Sequence, residues 1–389
     1  MNLYIIIIVL VLFILYYIQS DIFKKISFTN TYIIGIPNNN NIKQFIKIFL
    51  EILDNDSITL KIYDSHYTLL NDLNESKINF GITYENNLLE SQLGLNMYRN
   101  NKLSDIQFVT GLFYNYQYFI TNILYKDENK IEPLAVVHDI KHFYTIYNRH
   151  FIIGTEQSSS ESYNGLLVLL YMYGLNPVNI NDKDDNITYS DNTIFIANYY
   201  IDELMIKFKK NDVDGIYLIN IYNYKKIRDI IDDKDVIFLN ITYENTIFND
   251  IYSNYYFDKT ITISNLSNDI DSTYTFETKM NRIVLISNNT TDNKIVDTII
   301  NSYYINNNIL INTLLENNKN TLEHFTFEPI DMIYVNKYIK IHEAAYNYMK
   351  SLGYIIDNTT KNSLDVNKNE NYKHYWKYDK IGGKEFIIE

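Results

Sequence analysis

Residues 151–175 of the chain read FIIGTEQSSSESYNGLLVLLYMYGL. The apolar residues 151–153 predict a short buried strand that ends at Gly154, and a polar turn follows over residues 155–160. From residue 162 a stripe of leucines predicts a helix that Gly174 would end. Such a strand, turn and helix leave backbone N–H groups and the positive end of the helix dipole facing one point. The arrangement suits an anionic group such as a carboxylate or phosphate, unless the serines merely cap the helix.

Composition excludes several classes of protein. The chain has 389 residues, which is enough for a large core and two lobes or domains. With 34 basic and 47 acidic residues the formal net charge is −13, so no nucleic-acid partner is expected. The chain has no cysteine, which excludes disulfides and thiolate metal sites. The 38 tyrosines against 11 glycines and 4 prolines indicate an AT-rich genome, such as that of a large DNA virus, a protist or an AT-rich bacterium.

The N-terminal segment predicts a membrane anchor. Residues 3–18 are uninterrupted apolar residues or tyrosines. As a helix they span about 24 Å, slightly less than a bilayer core of about 30 Å. We therefore expect a single-pass, uncleaved anchor in the lipid bilayer within residues 1–25, with a buried core helix as the alternative. Lys24 and Lys25 favour a cytosolic main domain by the positive-inside rule, whereas a secretory anchor places that domain outside.

Beyond the anchor, predicted strands and helices alternate. Strands are expected at residues 32–36, 58–63, 78–83, 106–122, 193–197, 214–219, 236–239, 251–263 and 282–286. Helices are expected at residues 42–53, 67–73, 141–148, 201–209, 224–231, 294–304, 309–317 and 338–352. This alternation predicts an α/β fold with a largely parallel sheet. The long segments 106–122 and 251–263 suit extended strands that cross between two lobes.

Four segments together resemble the TAXI family of solute-binding receptors of TRAP transporters. Residues 79–86, NFGITYEN, resemble the family's G-x-A-D-L-A-I-V-Q-S-D segment. Residues 151–175 resemble its V-x-x-G-x-x-x-S-G-T strand, loop and helix. Residues 213–217, VDGIY, resemble its I-D-A-x-F strand, and residues 341–348, IHEAAYNY, resemble its H-P-G-A-x-x-Y-Y helix. The order and spacing agree over about residues 30–355.

With the anchor, this resemblance implies an α/β, two-lobed periplasmic-binding-protein type II fold with an N-terminal transmembrane helix. The expected division is an anchor at 1–25, lobe 1 at 26–120 and 258–355, lobe 2 at 121–257 and a polar tail at 356–389. The implied function is non-enzymatic binding of a small carboxylate-bearing solute between the lobes, without a cofactor. Separate membrane transporter subunits are the implied partners. The main domain is then extracytoplasmic, because the resemblance outweighs the two lysines.

A solute between the lobes is expected to meet residues of four loops. These are Asn38, Asn39, Tyr84, Asn86, Ser158, Ser159, Ser160 and Asn220. The chain departs from the family here, because a run of asparagines replaces the glycine-rich first loop and three serines replace Ser-Gly-Thr. These departures favour an alternative, a virion or surface interaction protein that keeps the fold without a solute. The retained hydroxyl groups favour the receptor.

Other chemistries have weaker support. His138 and His142 have metal-ligand spacing but no identifiable third ligand, so surface or capping histidines are expected rather than a zinc site. Asp182, Asp184 and Asp185 are expected to form a solvated loop rather than a calcium site. No nucleophile elbow, Walker loop or dinucleotide fingerprint is present, so no catalytic site is predicted and an enzyme is the third choice. Asn-x-Ser/Thr sequons matter only if the domain is lumenal or extracellular, where it would be a glycoprotein.

Overall fold

The computed structural model describes residues 31–53, 57–121, 140, 143–158, 160–183, 187–220, 226–227, 229–230, 236–241, 257–264, 273–306, 309–310, 313, 339–351, 377–378 and 386–387. The predicted membrane anchor at residues 1–25 lies outside them. In this part of the chain, no helix combines the length and the apolar character that crossing a bilayer requires.

One mixed sheet of eleven strands organises the described part of the chain. The strands are β1 (Tyr32–Pro37), β2 (Ile58–Tyr63), β3 (Phe80–Tyr84), β4 (Ile106–Thr121), β5 (Ile152–Thr155), β6 (Asn176–Asn179), β7 (Thr193–Asn198), β8 (Gly215–Asn220), β9 (Ile237–Phe238), β10 (Phe257–Ser264) and β11 (Thr273–Asn288). Their order is β2-β1-β3-β11-β4-β8-β5-β7-β6, with β10 beside β11 and β9 beside β4. The predicted α/β fold is confirmed, but the sheet is mixed rather than largely parallel, because β4 and β11 run antiparallel to their neighbours.

Helices follow most of the parallel strands. They are α1 (Asn40–Leu53), α2 (His66–Asn74), α3 (Glu85–Leu93), α4 (Phe143–Tyr147), α5 (Glu161–Met172), α6 (Ile201–Lys209), α7 (Asn293–Ile305) and α8 (Glu343–Ser351). Helix α1 is amphipathic and buries Phe45, Ile46 and Phe49, one to four residues apart, in the core. Helix α3 ends at Gly94, whose φ of 72° is the left-handed conformation that glycine adopts without strain.

The sheet has two halves, each with parallel strands. Strands β1, β2 and β3 form the first half, and strands β5, β6, β7 and β8 form the second. Parallel strands with helices on the sheet faces are buried on both faces, and β3 and β8 are buried along their whole length. In β1 the core packs closely against Gly35, because a Cβ atom there would lie 2.5 Å from Ile78 Cδ1 and would force that side chain to move.

Two 16-residue strands, β4 and β11, connect the halves. Strand β11 is antiparallel to β3 in the first half and to β4 beside it. The last six residues of β4 pair with β8 in the second half. The hydrogen-bonded sheet is therefore continuous from one half to the other through this antiparallel pair.

The second crossing strand corrects a sequence prediction. Residues 251–263 were expected to cross between lobes, but β10 (Phe257–Ser264) pairs with β11 at the side of the sheet. The crossing is made by β11, of which the sequence predicted only residues 282–286. The reason is that β11 buries Lys279, Asn281 and Arg282, and these polar residues interrupt the apolar pattern of a buried strand.

Several further predictions are shifted, missed or outside the described residues. The last helix begins at Glu343 rather than at residue 338, and helix α3 and strand β6 were not predicted. The predicted helices at 224–231 and 309–317 lie largely outside the described residues, as does the tail at 356–389. In that tail, Lys377–Tyr378 and Phe386–Ile387 form a separate antiparallel pair. The division into two lobes at residues 120 and 257 stays a prediction.

Candidate functional site

A cavity of about 380 Å³ lies between the two halves of the sheet. Its walls include Asp64, His66 and Asn87 from the first half, and Ser158, Asn164 and Asp182 from the second. Asp64 follows β2, Asn87 lies in the first turn of α3 after β3, and Ser158 follows β5. The cavity therefore lies beyond the carboxyl ends of parallel strands, which is where open α/β sheets bind ligands.

The cavity wall carries negative charge. Asp64 and Asp182 contribute carboxylates, and no lysine or arginine of the described residues lines the cavity. Asp64 Oδ1 accepts a hydrogen bond from Asn38 Nδ2 at 2.9 Å. His66 Nδ1 lies 2.9 Å from Thr83 Oγ1, so this imidazole is positioned by the end of β3. A solute with several negative charges would be repelled by this wall.

The loop after β1 contains Asn38 and Asn39, and Asn38 is hydrogen-bonded to Asp64 of the cavity wall. Besides its bond to Asp64, Asn38 accepts a hydrogen bond from Lys43 through Oδ1. Asn39 Oδ1 accepts from the backbone N–H of Ile42 at 3.2 Å, inside the first turn of α1. Neither asparagine lines the cavity. The predicted contact of both asparagines with a solute stays a prediction. In this structure Asn38 positions Asp64, and Asn39 accepts a hydrogen bond in the first turn of α1.

The sequence left two roles open for the serines of the turn at residues 155–160, which are capping a helix and contacting a solute. The described serines differ in this respect. Ser160 caps helix α5, because its Oγ atom accepts a hydrogen bond from the N–H of Tyr163 at 3.1 Å. Ser158 is exposed and lines the cavity. Ser159 lies outside the described residues. One serine of the turn thus has the ordinary capping role, and another lines the cavity.

Beside the cavity, a buried set of polar side chains joins the halves. We call this set the polar seam; it consists of Tyr84, Asn86, Asn115, Glu161 and Asn281. Asn86 Nδ2 donates to Glu161 Oε1 at 3.2 Å, which links the first turn of α3 to the first turn of α5. Asn281 Nδ2 donates to Asn86 Oδ1 at 2.9 Å, and Asn115 Nδ2 donates to the Tyr84 hydroxyl at 3.2 Å. Asn115 and Asn281 are direct partners in the β4–β11 register.

A buried ion pair anchors helix α3 beside the seam. Arg282 donates from Nε to Glu85 Oε2 at 2.9 Å and from Nη2 to Glu85 Oε1 at 2.7 Å. The two side chains are 0% and 1% exposed. Glu85 is the first residue of α3, where a carboxylate also complements the helix dipole. The pair fixes α3 to β11, and so fixes the position of Asn86.

Two acidic side chains of the second half lie close to Tyr84. Burial raises the pKa of the Tyr84 hydroxyl well above its ordinary value, and the charges of Glu161 and Glu156 raise that pKa further. Burial also raises the pKa of the Glu156 carboxyl, although a hydrogen bond from Ser162 Oγ opposes the shift. Ser162 Oγ in turn accepts from the N–H of Ile219 at 3.0 Å, which ties this carboxyl to β8.

The remaining sequence candidates lie away from the cavity or outside the described residues. Asn220 is the buried last residue of β8, paired in register with Tyr116 of β4, and does not line the cavity. His138 and His142 lie outside the described residues. In the described residues, no three His, Asp or Glu side chains are grouped as metal ligands. His342, just before α8, accepts a hydrogen bond at Nδ1 from the N–H of Ala344 at 3.3 Å.

Sequence reasoning missed most of the cavity wall. Asp64 and His66 belong to a polar turn that directly follows the predicted strand 58–63, and this position after a parallel strand was an available signal. Asn87 and Asn164 are single polar residues on helices, which nothing in the sequence distinguishes. Asp182 was interpreted as part of a solvated loop, and it lines the cavity.

Comparisons with known proteins find only distant structural similarity. No family model and no curated protein matches the chain. Among solved structures, a Xanthomonas citri protein, XAC2383 bound to ATP, has 8% identity and a TM-score of 0.42 over 70% of this chain and 82% of that one. The periplasmic aliphatic sulphonate binding protein SsuA of Escherichia coli has 13% identity and a TM-score of 0.37 over 74% and 79%. Tv2483 bound to L-arginine has 12% identity and a TM-score of 0.37 over 77% and 94%.

Two parallel half-sheets joined by two long antiparallel strands make up the described fold. The comparisons do not find the TAXI family.

Proposed function

We propose that the chain is a solute-binding protein, and not an enzyme, that holds a small carboxylate-bearing solute between the two halves of the sheet. The observation that carries this proposal is the cavity of about 380 Å³ with walls from both halves. Its size falls in the range of about 300–1,000 Å³ that small-molecule pockets occupy. Ser158, Asn87 and Asn164 supply neutral hydrogen-bond donors to a single carboxylate. Asp64 and Asp182 disfavour a solute with two carboxylates, because like charges repel.

In this proposal the halves are lobes that close on the solute. The strands β4 and β11 are the connection about which the lobes move. Closure removes water from the cavity, which strengthens every polar contact with the solute. The contact of Asn86 with Glu161 is the type of contact that closure would make and opening would break.

The serine turn provides a matched test. Ser158→Ala is expected to weaken solute binding by about tenfold or more, because a hydrogen bond to a charged group contributes about 1.5–3 kcal/mol. Ser160→Ala is expected to cost about 1 kcal/mol of unfolding free energy, because it removes the cap of α5. Denaturant titration measures the stability of each variant, and the rise in melting temperature with added solute measures binding.

The control for both variants is Ser190→Ala, in an exposed loop where Ser190 Oγ donates to Asn192 Oδ1. This variant should bind solute like the wild type. Binding that survives Ser158→Ala unchanged would remove Ser158 from the site.

Membrane attachment is a further part of the proposal. Residues 3–18 anchor the chain in the bilayer, the main domain is extracytoplasmic, and delivery of the solute requires separate membrane transporter subunits of the kind TAXI receptors use. The support is the unbroken apolar run in the sequence and the four segments that resemble that family.

Deleting residues 1–25 should leave a soluble protein that melts cooperatively, because the unbroken apolar run at residues 3–18 predicts an anchor that is separate from the folded domain. Differential scanning calorimetry of the truncated and detergent-solubilised full chains measures this. Loss of the melting transition on truncation would show that the run is a core helix.

A second candidate function is a virion or surface interaction protein that keeps the fold without a solute. The observation in its favour is that Asn38, Asn39 and Ser160 are hydrogen-bonded within the protein. An interaction protein would show no melting shift with small solutes and would be insensitive to Ser158→Ala.

A further inference from the structure

Two overlapping N-glycosylation sequons lie where strand β11 ends. Residues 288–291 read NNTT, so Asn288 with Thr290 and Asn289 with Thr291 both fit the pattern Asn-x-Ser/Thr. Strand β11 ends at Asn288, and a turn follows in which the N–H of Thr291 donates to the backbone oxygen of Asn288 at 3.0 Å. The two asparagines are adjacent in sequence, but their environments are opposite.

Asn288 is buried, and both of its side-chain N–H groups are engaged. The residue is 3% exposed. Its Nδ2 atom donates to the backbone oxygens of Leu73 and Asn74, at the end of α2, at 3.0 and 3.1 Å. Its Oδ1 atom accepts from the N–H and the hydroxyl of Thr290 at 2.9 and 2.8 Å. A carboxamide has two N–H donors, so a sugar on this Nδ2 would displace one of the bonds and enter the packed interior.

Asn289 is exposed, and one of its side-chain N–H groups is available. Within the described residues its Nδ2 atom makes a single hydrogen bond, to Asp105 Oδ1 at 3.1 Å on the surface. The backbone N–H of Asn289 donates to the backbone oxygen of Asp105 at 2.8 Å, which fixes the turn. An N-linked carboxamide keeps one N–H, so the bond to Asp105 is compatible with an attached sugar.

Asn289 also lies at the end of the sheet away from the cavity. In the register of β11, Ser287 pairs with Phe80, the first residue of β3, and Asn288 pairs with Ile106, the first residue of β4. The cavity lies beyond the carboxyl ends of the parallel strands, where Asn87 follows β3. A glycan on Asn289 would therefore leave the cavity unobstructed.

We propose that Asn289 carries an N-linked glycan and that Asn288 does not. This inference rests on the extracytoplasmic orientation in the proposed function, which brings the main domain to the glycosylation machinery of a eukaryotic secretory pathway. The co-reactant is a lipid-linked oligosaccharide diphosphate, whose anomeric carbon is attacked by Asn289 Nδ2. The new carbon–nitrogen bond replaces the bond from that carbon to the phosphate oxygen. The lipid diphosphate leaves, and Nδ2 loses one proton to a base of the transferase.

The test is peptide mapping of the full chain made in a eukaryotic secretory pathway. Enzymatic removal of the glycan in heavy-oxygen water converts the modified asparagine to a labelled aspartate. Tandem mass spectrometry then assigns the label to position 288 or 289. We expect the label at Asn289 and none at Asn288.

Two matched variants separate the overlapping sequons. Thr290→Val removes the sequon of Asn288 and keeps that of Asn289, so the segment should keep its glycan. Thr291→Val removes the sequon of Asn289 and keeps that of Asn288, so the segment should lose its glycan. Because valine has the shape of threonine, the pair differs in which asparagine keeps its sequon. The mapping of the wild type does not depend on folding of either variant.

The outcomes distinguish this inference from the proposed function. A glycan on Asn288, in the wild type or in Thr291→Val, would overturn the inference and leave the extracytoplasmic orientation standing. Glycans on other sequons of a chain whose Asn289 is unmodified would do the same. A chain without any glycan would overturn the inference and the orientation together. Solute binding is measured separately, by the melting temperature, and does not depend on these results.

Discussion

Replacing Arg282 by Met is expected to lower the free energy of unfolding by about 3–5 kcal/mol, because the change leaves the Glu85 carboxylate buried without its cation. Both side chains are fully buried, and two hydrogen bonds of 2.9 Å and 2.7 Å join them. Methionine restores much of the apolar volume, so the loss measures the unpaired charge rather than a cavity. Equilibrium unfolding in urea gives the difference.

Two further variants serve as controls for Arg282→Met. Lys61→Met removes a partly exposed ion pair with Asp72, 2.9 Å long, and should cost no more than about 1 kcal/mol. The double variant Glu85→Leu with Arg282→Met removes both charges and should recover much of the stability lost in the single variant. If Arg282→Met is no less stable than Lys61→Met, the pair does not hold α3 to β11.

Filling the cavity should abolish solute binding. Asn164→Trp places a large ring on the cavity-facing side of α5, and a clash with the bound solute is expected to weaken binding about a hundredfold or more. Asn164 is half-buried and lines the cavity, so the ring can occupy the cavity of the free protein, and its stability should change little. Calorimetric titration with whichever solute stabilises the wild type measures the loss.

The matched control is Lys47→Trp, an exposed position of α1 away from the cavity. It adds the same ring to the surface and should leave affinity unchanged. Equal affinities in Asn164→Trp and Lys47→Trp would place the solute elsewhere.

Local patterns predicted much of the fold. The predicted strand 58–63 coincides with β2, and the predicted helix 201–209 coincides with α6. In the stretch 151–175 the strand, the turn and the helix all occur, and Gly174 follows α5 with a φ of 69°. These features depend on side-chain periodicity and on turn residues, which are readable along the chain.

Strand β11 could not be predicted, because its polar residues are buried by partners far away in the sequence. Arg282 pairs with Glu85 and Asn281 bonds to Asn86, at separations of 197 and 195 residues. From the sequence alone these residues indicate an exposed segment. Helix α3 was missed for a related reason, since it opens with Glu85, Asn86 and Asn87 and buries the first two.

The candidate site was predicted only in part for the same physical reason. Ser158 was identified because a hydroxyl-rich turn before a helix is a local signal. Asp64 and His66 line the same cavity, but their proximity to Ser158 depends on how the crossing strands bring the two halves together. Tyr84 and Asn86 were identified, and they lie in the seam beside the cavity rather than in its wall.

The most direct test of solute binding in the cavity is the melting temperature of the wild type and of Asn164→Trp with a mixture of small carboxylates, amino acids among them. A ligand at about a hundred times its Kd stabilises the native state by about 2.7 kcal/mol, which is readily measured. The proposal predicts a rise in the wild type that is absent in Asn164→Trp. No rise in the wild type, or an equal rise in both proteins, would contradict it.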